Sequence, residues 1–562
     1  MQFIHTILSH RRLWFPAFTF VLLGPVAMWG QVPVHSADSD CSALAQTRIP
    51  GVTVTVAERV AGGSFTPPGE SPITGLPAFC RVSAISHPSP SSNIRIELWM
   101  PEKDWNGRLL GTGSGGGGGF LSYSTEALGL RRGYATANTD LGTSPDAGSA
   151  VGQPERWADF GHRATHEMTT VAKALVERYY GNAARHSYFV GCSTGGQQAL
   201  VEAERYPGDY NGIVAGAPAN NRTHLHSDFL WNYQATHKTP DSALLPAERI
   251  TLVSGSAVAA CRGRDGGLST DEFLTDPRAC KFDPDTLPRC AQAGDKDCLS
   301  SAQLTALKAI YAGPINPRTG ERIYAPPPFG SEESSLGIAF QQNLPEVIQH
   351  FYPFQWALGA DFDPLKFDFD RDLDVVDTKL AAVVNANDPD LNGFRRLGGK
   401  LLMFTGTADP IVPFPDTINF YERVVERTSV HDSGTKPSEA EKLNSTQEFF
   451  RYFIAPGMAH CGGGRGVNDV GQWLSSDIPL DSDHDLLSAL VKWVENGTAP
   501  KQIVATAFVD GQASKGVRFE RPICAYPKFP EYVSGDPKLP SSFRCANHPR
   551  GGVLKPAQRY LR

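Results

Sequence analysis

The sequence predicts an α/β protein, a largely parallel sheet with a large inserted lid domain, and three observations carry that prediction. Apolar segments with helical and strand-like spacing alternate between residues 163 and 216. The same alternation resumes at residue 400 and continues past residue 490. Between about residues 220 and 396 it is lost, in a stretch with four cysteines, many prolines and aromatic clusters. Helices that carry the chain back between strands build parallel sheets, so the first two observations define the sheet and the third the insertion.

The composition sets the frame. A chain of 562 residues is longer than the roughly 250–300 at which one core stops growing. With 41% hydrophobic and 20% charged residues it is neither disordered nor fibrous. The net charge of −7, without a basic block, excludes nucleic acid as an expected partner. At the N-terminus Arg11-Arg12 leads into an apolar stretch up to about Gly30, followed by Val34-His35-Ser36. This is the pattern of a signal peptide over residues 1–36, which makes the mature protein secreted or periplasmic. An uncleaved anchor is the alternative, and Pro16, Pro25 and the short apolar core weigh against it. No later run has transmembrane length, so no membrane association is expected after cleavage. All ten cysteines follow that segment: Cys41, Cys80, Cys192, Cys261, Cys280, Cys290, Cys298, Cys461, Cys524 and Cys545. An even number in an exported chain points to disulfides. No C-x-x-C occurs, which argues against a zinc site.

In chain order, residues 37–100 hold β-branched runs at 52–56 and 94–98, read as strands. After Trp105-Asn-Gly-Arg108 comes Gly111-Thr-Gly-Ser-Gly-Gly-Gly-Gly-Gly119, necessarily a loop. Met168, Val171, Ala172, Leu175, Val176 and Tyr179 share one helical face. Residues 187–190 read as a strand, 197–205 as a helix and 212–216 as a strand. Beyond the lid, strands are expected at 400–404 and 449–454 and helices at 416–425 and 486–494. Asn221-Arg-Thr, Asn444-Ser-Thr and Asn496-Gly-Thr match the glycosylation sequon.

Gly191-Cys192-Ser193-Thr194-Gly195 fits G-x-S-x-G between an apolar strand and a helix, the setting of a nucleophile elbow. The helix dipole then points toward the site where negative charge develops in acyl transfer. The alternative is a glycine-rich turn around a buried serine. A serine hydroxyl needs a base that is itself oriented by a carboxylate. Asp409 and His460 follow the strands at 400–404 and 449–454, in the chain order that an α/β-hydrolase requires. Asp409 would otherwise cap the next helix, and His460 is one of 15 histidines. If Ser193 and His460 meet, their neighbours Cys192 and Cys461 also come within disulfide reach. The glycine run contains G-x-G-x-x-G, yet no helix is evident directly after it, as dinucleotide binding would need. An oxyanion-hole loop suits it better, with N–H groups of Gly116 or Gly115 and of Thr194 as donors. The predicted class is thus an α/β-hydrolase fold: catalytic residues 37–219, lid 220–396, catalytic residues 397–562. No cofactor is required for this chemistry. Cysteine spacing alone leaves the pairing open, although Cys261 with Cys280, Cys290 with Cys298 and Cys524 with Cys545 would each close a short loop.

Together, Trp105-Asn-Gly-Arg108, Gly191-Cys-Ser-Thr-Gly-Gly196, Gly212-Ile-Val-Ala-Gly-Ala-Pro218, Gly406-Thr-Ala-Asp409 and Pro456-Gly-Met-Ala-His-Cys461 resemble the tannase and feruloyl esterase family, over about residues 41–545. The resemblance implies a triad of Ser193, Asp409 and His460. It implies the disulfides Cys192–Cys461, Cys41–Cys80, Cys261–Cys280, Cys290–Cys298 and Cys524–Cys545. It also implies a small-molecule ester of an aromatic acid as substrate, of feruloyl or galloyl type, with relatives that hydrolyse mono(2-hydroxyethyl) terephthalate. Phe351, Tyr352, Phe354 and Trp356 are the lid aromatics that are candidates for the acyl wall, with ordinary lid core as the alternative. Family lids commonly bind calcium in a loop between two cysteines, which implies Asp265 and Asp271 as ligands here, with Asp276 nearby. Arg262 stands where the family usually has an aspartate, a departure that weakens the site. A lipase or peptidase of the same fold, and a non-catalytic binding protein on a hydrolase scaffold, are the competing readings.

Overall fold

The computed structural model describes residues 40–238, 243–292, 294–334, 348–429, 437–547, 552 and 554–561. The predicted signal peptide, residues 1–36, lies outside them. Nine strands form one sheet: β1 Val52–Val60, β2 Phe79–Ser86, β3 Ile94–Pro101, β4 Arg108–Thr112, β5 Ala135–Thr139, β6 His186–Cys192, β7 Gly212–Gly216, β8 Lys400–Gly406 and β9 Phe450–Ala455. Their spatial order is β1-β2-β3-β5-β4-β6-β7-β8-β9. The first three strands are antiparallel, β3 pairs antiparallel with β5, and all later pairings are parallel.

Burial explains which runs became which strands. β5 and β7 are buried along their whole length, as befits central strands covered on both faces. Edge strand β1 mixes exposed and half-buried residues. Along β8, Leu401 and Met403 join one hydrophobic cluster while Leu402 and Phe404 join another on the opposite face. Helices α2 (Ala164–Tyr180) and α3 (Thr194–Arg205) supply the first cluster, and the helix Leu486–Asn496 the second. This is the three-layer arrangement of an α/β-hydrolase.

Sequence reasoning missed α1 (Tyr123–Arg131), which opens just past the glycine run, and a separate antiparallel pair, β10 (Gln502–Phe508) and β11 (Val517–Cys524). Between β7 and β8 no strand occurs among the described residues. That segment holds helices α4 (Arg222–His237), α5 (Ala247–Cys261) and α6 (Ser301–Ala312), the last opened by a capping box of Ser300 and Gln303. Helices α5 and α6 share a small core of their own, with Val253, Ala257, Leu304 and Leu307. Helix α4 instead gives Leu225, Phe229, Leu230 and Tyr233 to the main core. Asn221, in a sequon, is buried and donates to the Tyr560 carbonyl, so it is closed to glycosylation in the folded chain.

The passage from β6 into α3 is crowded backbone. A Cβ on Gly191 would lie 2.4 Å from the Gly195 oxygen, and one on Gly196 only 2.2 Å from the Gly216 oxygen. Both obstacles are main chain, so no rotamer relieves them. Gly196→Ala is expected to cost about 1–3 kcal/mol, read as a drop of several degrees in Tm by calorimetry; an unchanged Tm would show that the helix can retreat from the sheet.

Candidate active site

Ser193 stands between β6 and α3 with φ 63° and ψ −118°, a left-handed geometry that costs a non-glycine residue about 1–3 kcal/mol. Hydrogen bonds hold it there: its N–H donates to Gly216 O at 3.0 Å, and its carbonyl accepts from Gln197 and Ala219 at 3.0 and 3.1 Å. The serine thus sits at the carboxyl end of the parallel strands, at the N-terminus of α3, where the first-turn N–H groups have no intrahelical acceptor.

Asp409 and His460 come from the ends of the neighbouring strands β8 and β9. Their loops are joined by Thr407 N–H to Ala455 O at 3.0 Å and Ala408 N–H to Met458 O at 2.9 Å. The Asp409 side chain is fully enclosed. One carboxylate oxygen accepts from the N–H groups of Ile411 and Val412 at 2.8 and 3.0 Å, and the other from His460 Nδ1 at 2.8 Å. Asp409 therefore caps the turn after β8 and also holds the imidazole. With the Nδ1 proton committed to Asp409, Nε2 is left as an acceptor. Ser193 and His460 line the same cavity of about 470 Å³. Cys192 and Cys461 form a disulfide, Cα to Cα 6.0 Å, across 269 residues of sequence.

The other eight cysteines pair as the resemblance implied. Cys41 on the segment before β1 bonds to Cys80 on β2, 5.5 Å between Cα atoms. Cys261 at the end of α5 bonds to Cys280, and Cys290 bonds to Cys298, both within the insertion. Cys524, the last residue of β11, bonds to Cys545 near the C-terminus. These four bonds close loops of 39, 19, 8 and 21 residues, so they brace local structure, and only Cys192–Cys461 joins distant parts of the site.

The glycine run forms part of the cavity wall, with Gly115, Gly116 and Thr194 all facing it. Thr194 Oγ1 donates to Gly116 O at 2.5 Å, which pins the loop to the start of α3. A Cβ on Gly113 would lie 2.5 Å from the Gly195 Cα, so the two backbones are in direct contact.

The lid aromatics are only partly where they were expected. Tyr352 lines the cavity. Phe351, Phe354 and Trp356 do not; they pack in the core, Phe351 on Tyr233, Phe354 on Phe362 and Phe367, and Trp356 on Phe160. Sequence reasoning missed Arg222, Leu225, His226 and Phe229, one face of α4 that lines the cavity. Their i, i+3, i+4, i+7 spacing was readable, but α4 is buried on nearly all sides and polar residues interrupt every face.

Asp265 and Asp271 do not fit a calcium site. Both Asp271 oxygens are taken by the guanidinium of Arg521, at 2.6 and 2.8 Å. Asp276 is likewise held by Arg278. The Asp265 oxygens accept the N–H groups of Thr275 and Gly267, and burial raises its pKa above the ordinary carboxylate value. Among the described residues no group of three or more His, Cys, Asp or Glu is placed to hold a metal. Arg262, the departure noted in the sequence, is exposed; the cation that meets the loop comes from β11.

A serine at this strand-to-helix turn, on one cavity with a histidine that is held by an aspartate, both from later strand ends of the sheet, fits an α/β-hydrolase. Residues 80–546 match the family model for tannase and feruloyl esterase. The chain is 36% identical to an uncharacterized esterase of Xanthomonas campestris pv. campestris, over 96% of both chains. It is 31% identical to feruloyl esterase C of Talaromyces stipitatus, over 88% of this chain and 92% of that one. The crystal structure of feruloyl esterase B from Aspergillus oryzae superposes with a TM-score of 0.80 at 26% identity, covering 90% of this chain and 99% of that one. The protein belongs to the tannase and feruloyl esterase family and is a carboxylic ester hydrolase.

Two outcomes follow from these contacts. In the chain-entropy account, a cross-link over so long a loop contributes about 5 kcal/mol; the Cys192→Ala/Cys461→Ala double variant should lose most esterase activity and unfold at clearly lower denaturant. Dialysis against EDTA should leave Tm unchanged, whereas Arg521→Met, which strands a buried carboxylate, should cost about 3–5 kcal/mol. A Tm drop of several degrees on chelation would overturn this assignment of Asp271.

Proposed function

We propose that the protein is an exported serine esterase that cleaves esters of aromatic acids, of feruloyl or galloyl type, through an acyl-enzyme. The observation that carries this reading is the placement of Ser193 and His460 on one cavity, with the His460 Nδ1–H held by the enclosed carboxylate of Asp409. Ser193 Oγ attacks the ester carbonyl while His460 Nε2 takes its proton, and Asp409 stabilises the imidazolium that forms. The oxyanion is received by the N–H groups of Gly116 and Thr194, at the positive end of α3. His460 then protonates the leaving alcohol, and a water activated by the same nitrogen releases the acid and restores Ser193. Phe229, Tyr352 and Ile411 offer apolar surface on which an aromatic acyl group can lie. The names of the relatives, feruloyl esterases and a tannin acyl hydrolase of Aspergillus niger, point to the same substrates. Export is supported by the N-terminal sequence 1–36 and by five disulfides, which persist in oxidising compartments. No helix of the described residues is long and apolar enough to cross a membrane.

Ser193→Ala is expected to abolish hydrolysis of methyl ferulate, methyl gallate and chlorogenate while leaving Tm near the parent value. Asp409→Asn should lower kcat by about 10⁴-fold, because the wrong imidazole nitrogen then carries the proton. Turnover restricted to a p-nitrophenyl alkanoate would keep the esterase and remove the aromatic specificity.

A further inference from the structure

Arg222, the first residue of α4, lines the cavity of Ser193 and is only 2% exposed. One terminal nitrogen donates to the Tyr352 hydroxyl at 2.7 Å and the other to Thr194 Oγ1 at 3.0 Å. Its Nε is buried and donates to nothing among the described residues. The guanidinium carbon lies 5.2 Å from the centre of the Phe160 ring. No carboxylate pairs with it among the described residues, whereas the comparably enclosed Arg81, Arg278 and Arg521 each hold one, from Glu97, Asp276 and Asp271.

The cavity offers no compensation. Among the described residues none that lines it is Asp, Glu or Lys. The two histidines beside Arg222 do not add to its charge, since burial lowers the pKa of His226 well below, and that of His350 below, the ordinary value. Among the described residues the wall thus carries one fixed charge, positive and met by neutral hydroxyls. A guanidinium held out of water without a counterion is costly, and a carboxylate that reaches it gains a charge-assisted pair with a group already withdrawn from water. The planar fork, clamped by Tyr352 and Thr194 and lying near the Phe160 ring, has already given up its rotamer freedom.

We propose that Arg222 is a specificity-determining residue that receives a free carboxylate on the substrate, so that the preferred ligand is an aromatic ester bearing a carboxylate besides its scissile bond. This rests on the aromatic-esterase reading of the same cavity. Through Thr194, which neighbours Ser193 and donates to Gly116 O, the guanidinium stands beside the reacting ester. The carboxylate sits on either the acyl or the alcohol half, and these two sources are separable by experiment.

The test compares kcat/KM within two matched pairs: monomethyl against dimethyl terephthalate, with the charge on the acyl half, and chlorogenate against its methyl ester, with the charge on the alcohol half. The wild-type protein is expected to favour the charged member of at least one pair by about tenfold or more, chiefly through KM. In Arg222→Gln that ratio should fall to about one or below, with Arg222→Lys in between. A wild-type preference for the neutral member of both pairs overturns the proposal, as does a ratio unchanged in Arg222→Gln. If Arg222 serves only to position Thr194 and the glycine loop, both members lose kcat together and the ratio stays put, which also overturns it. Should Arg222→Gln fail to fold, competitive inhibition of the wild-type protein decides: benzoate must bind at least about tenfold more tightly than benzamide, and equal binding overturns the proposal. The underlying reading fails separately, if wild type hydrolyses no aromatic ester, charged or neutral, or Ser193→Ala retains turnover.

Discussion

The structure depends on a single steric constraint, the contact of bare backbone where β6 turns into α3. Gly191, Gly195 and Gly196 let strand, helix and glycine loop touch main chain to main chain, and any side chain there would separate them. Because they touch, Ser193 is forced into a left-handed conformation and its hydroxyl is carried clear of the sheet. The same contact brings Gly116 against Thr194. The strain at Ser193 is offset by three backbone hydrogen bonds, to Gln197 in α3 and to Gly216 and Ala219 at the end of β7.

Everything else at the site comes from far along the chain and is tied back to this turn. The Cys192–Cys461 bond joins the nucleophile's strand to the histidine's loop, and the paired loops after β8 and β9 hold Asp409 beneath His460. Asp271 and Arg521 do the same for the inserted segment, linking it to β11 by a buried ion pair between residues 250 apart. Arg222 is the counterexample. It is buried as deeply as the structural arginines, yet its charge is left facing the cavity.

How much of this was legible in the sequence followed from the range of the interactions involved. The central strands were readable because strands buried on both faces are continuous apolar runs, and the elbow because its glycines and serine are contiguous. Ser193, Asp409 and His460 each sit at the end of such a strand. Helix α4 was not readable, since a helix buried all round shows no polar face, and its polar residues meet partners distant in sequence. The assignment of Phe351, Phe354 and Trp356 to the acyl pocket failed for a related reason, because aromatic composition marks a core as readily as a binding wall. The engagement of Asp271 was not readable because nothing local announces an arginine 250 residues downstream. Arg262, at which the sequence departs from the family pattern, is exposed, and it is Arg521 that holds Asp271.

The two strands that flank the insertion, β7 and β8, pair directly, with Lys400 opposite Gly212 and Phe404 opposite Gly216. Because the pair is parallel, the insertion leaves beyond Gly216 and re-enters at Lys400, one strand spacing across and about 13 Å along the sheet. Closing a segment whose two ends are fixed in the sheet becomes only slowly more costly as it lengthens. Beyond α4, that segment can drift in length and sequence without moving Ser193, Asp409 or His460. Within a lineage, the choice of ester and the machinery that breaks it are thus free to evolve at different rates.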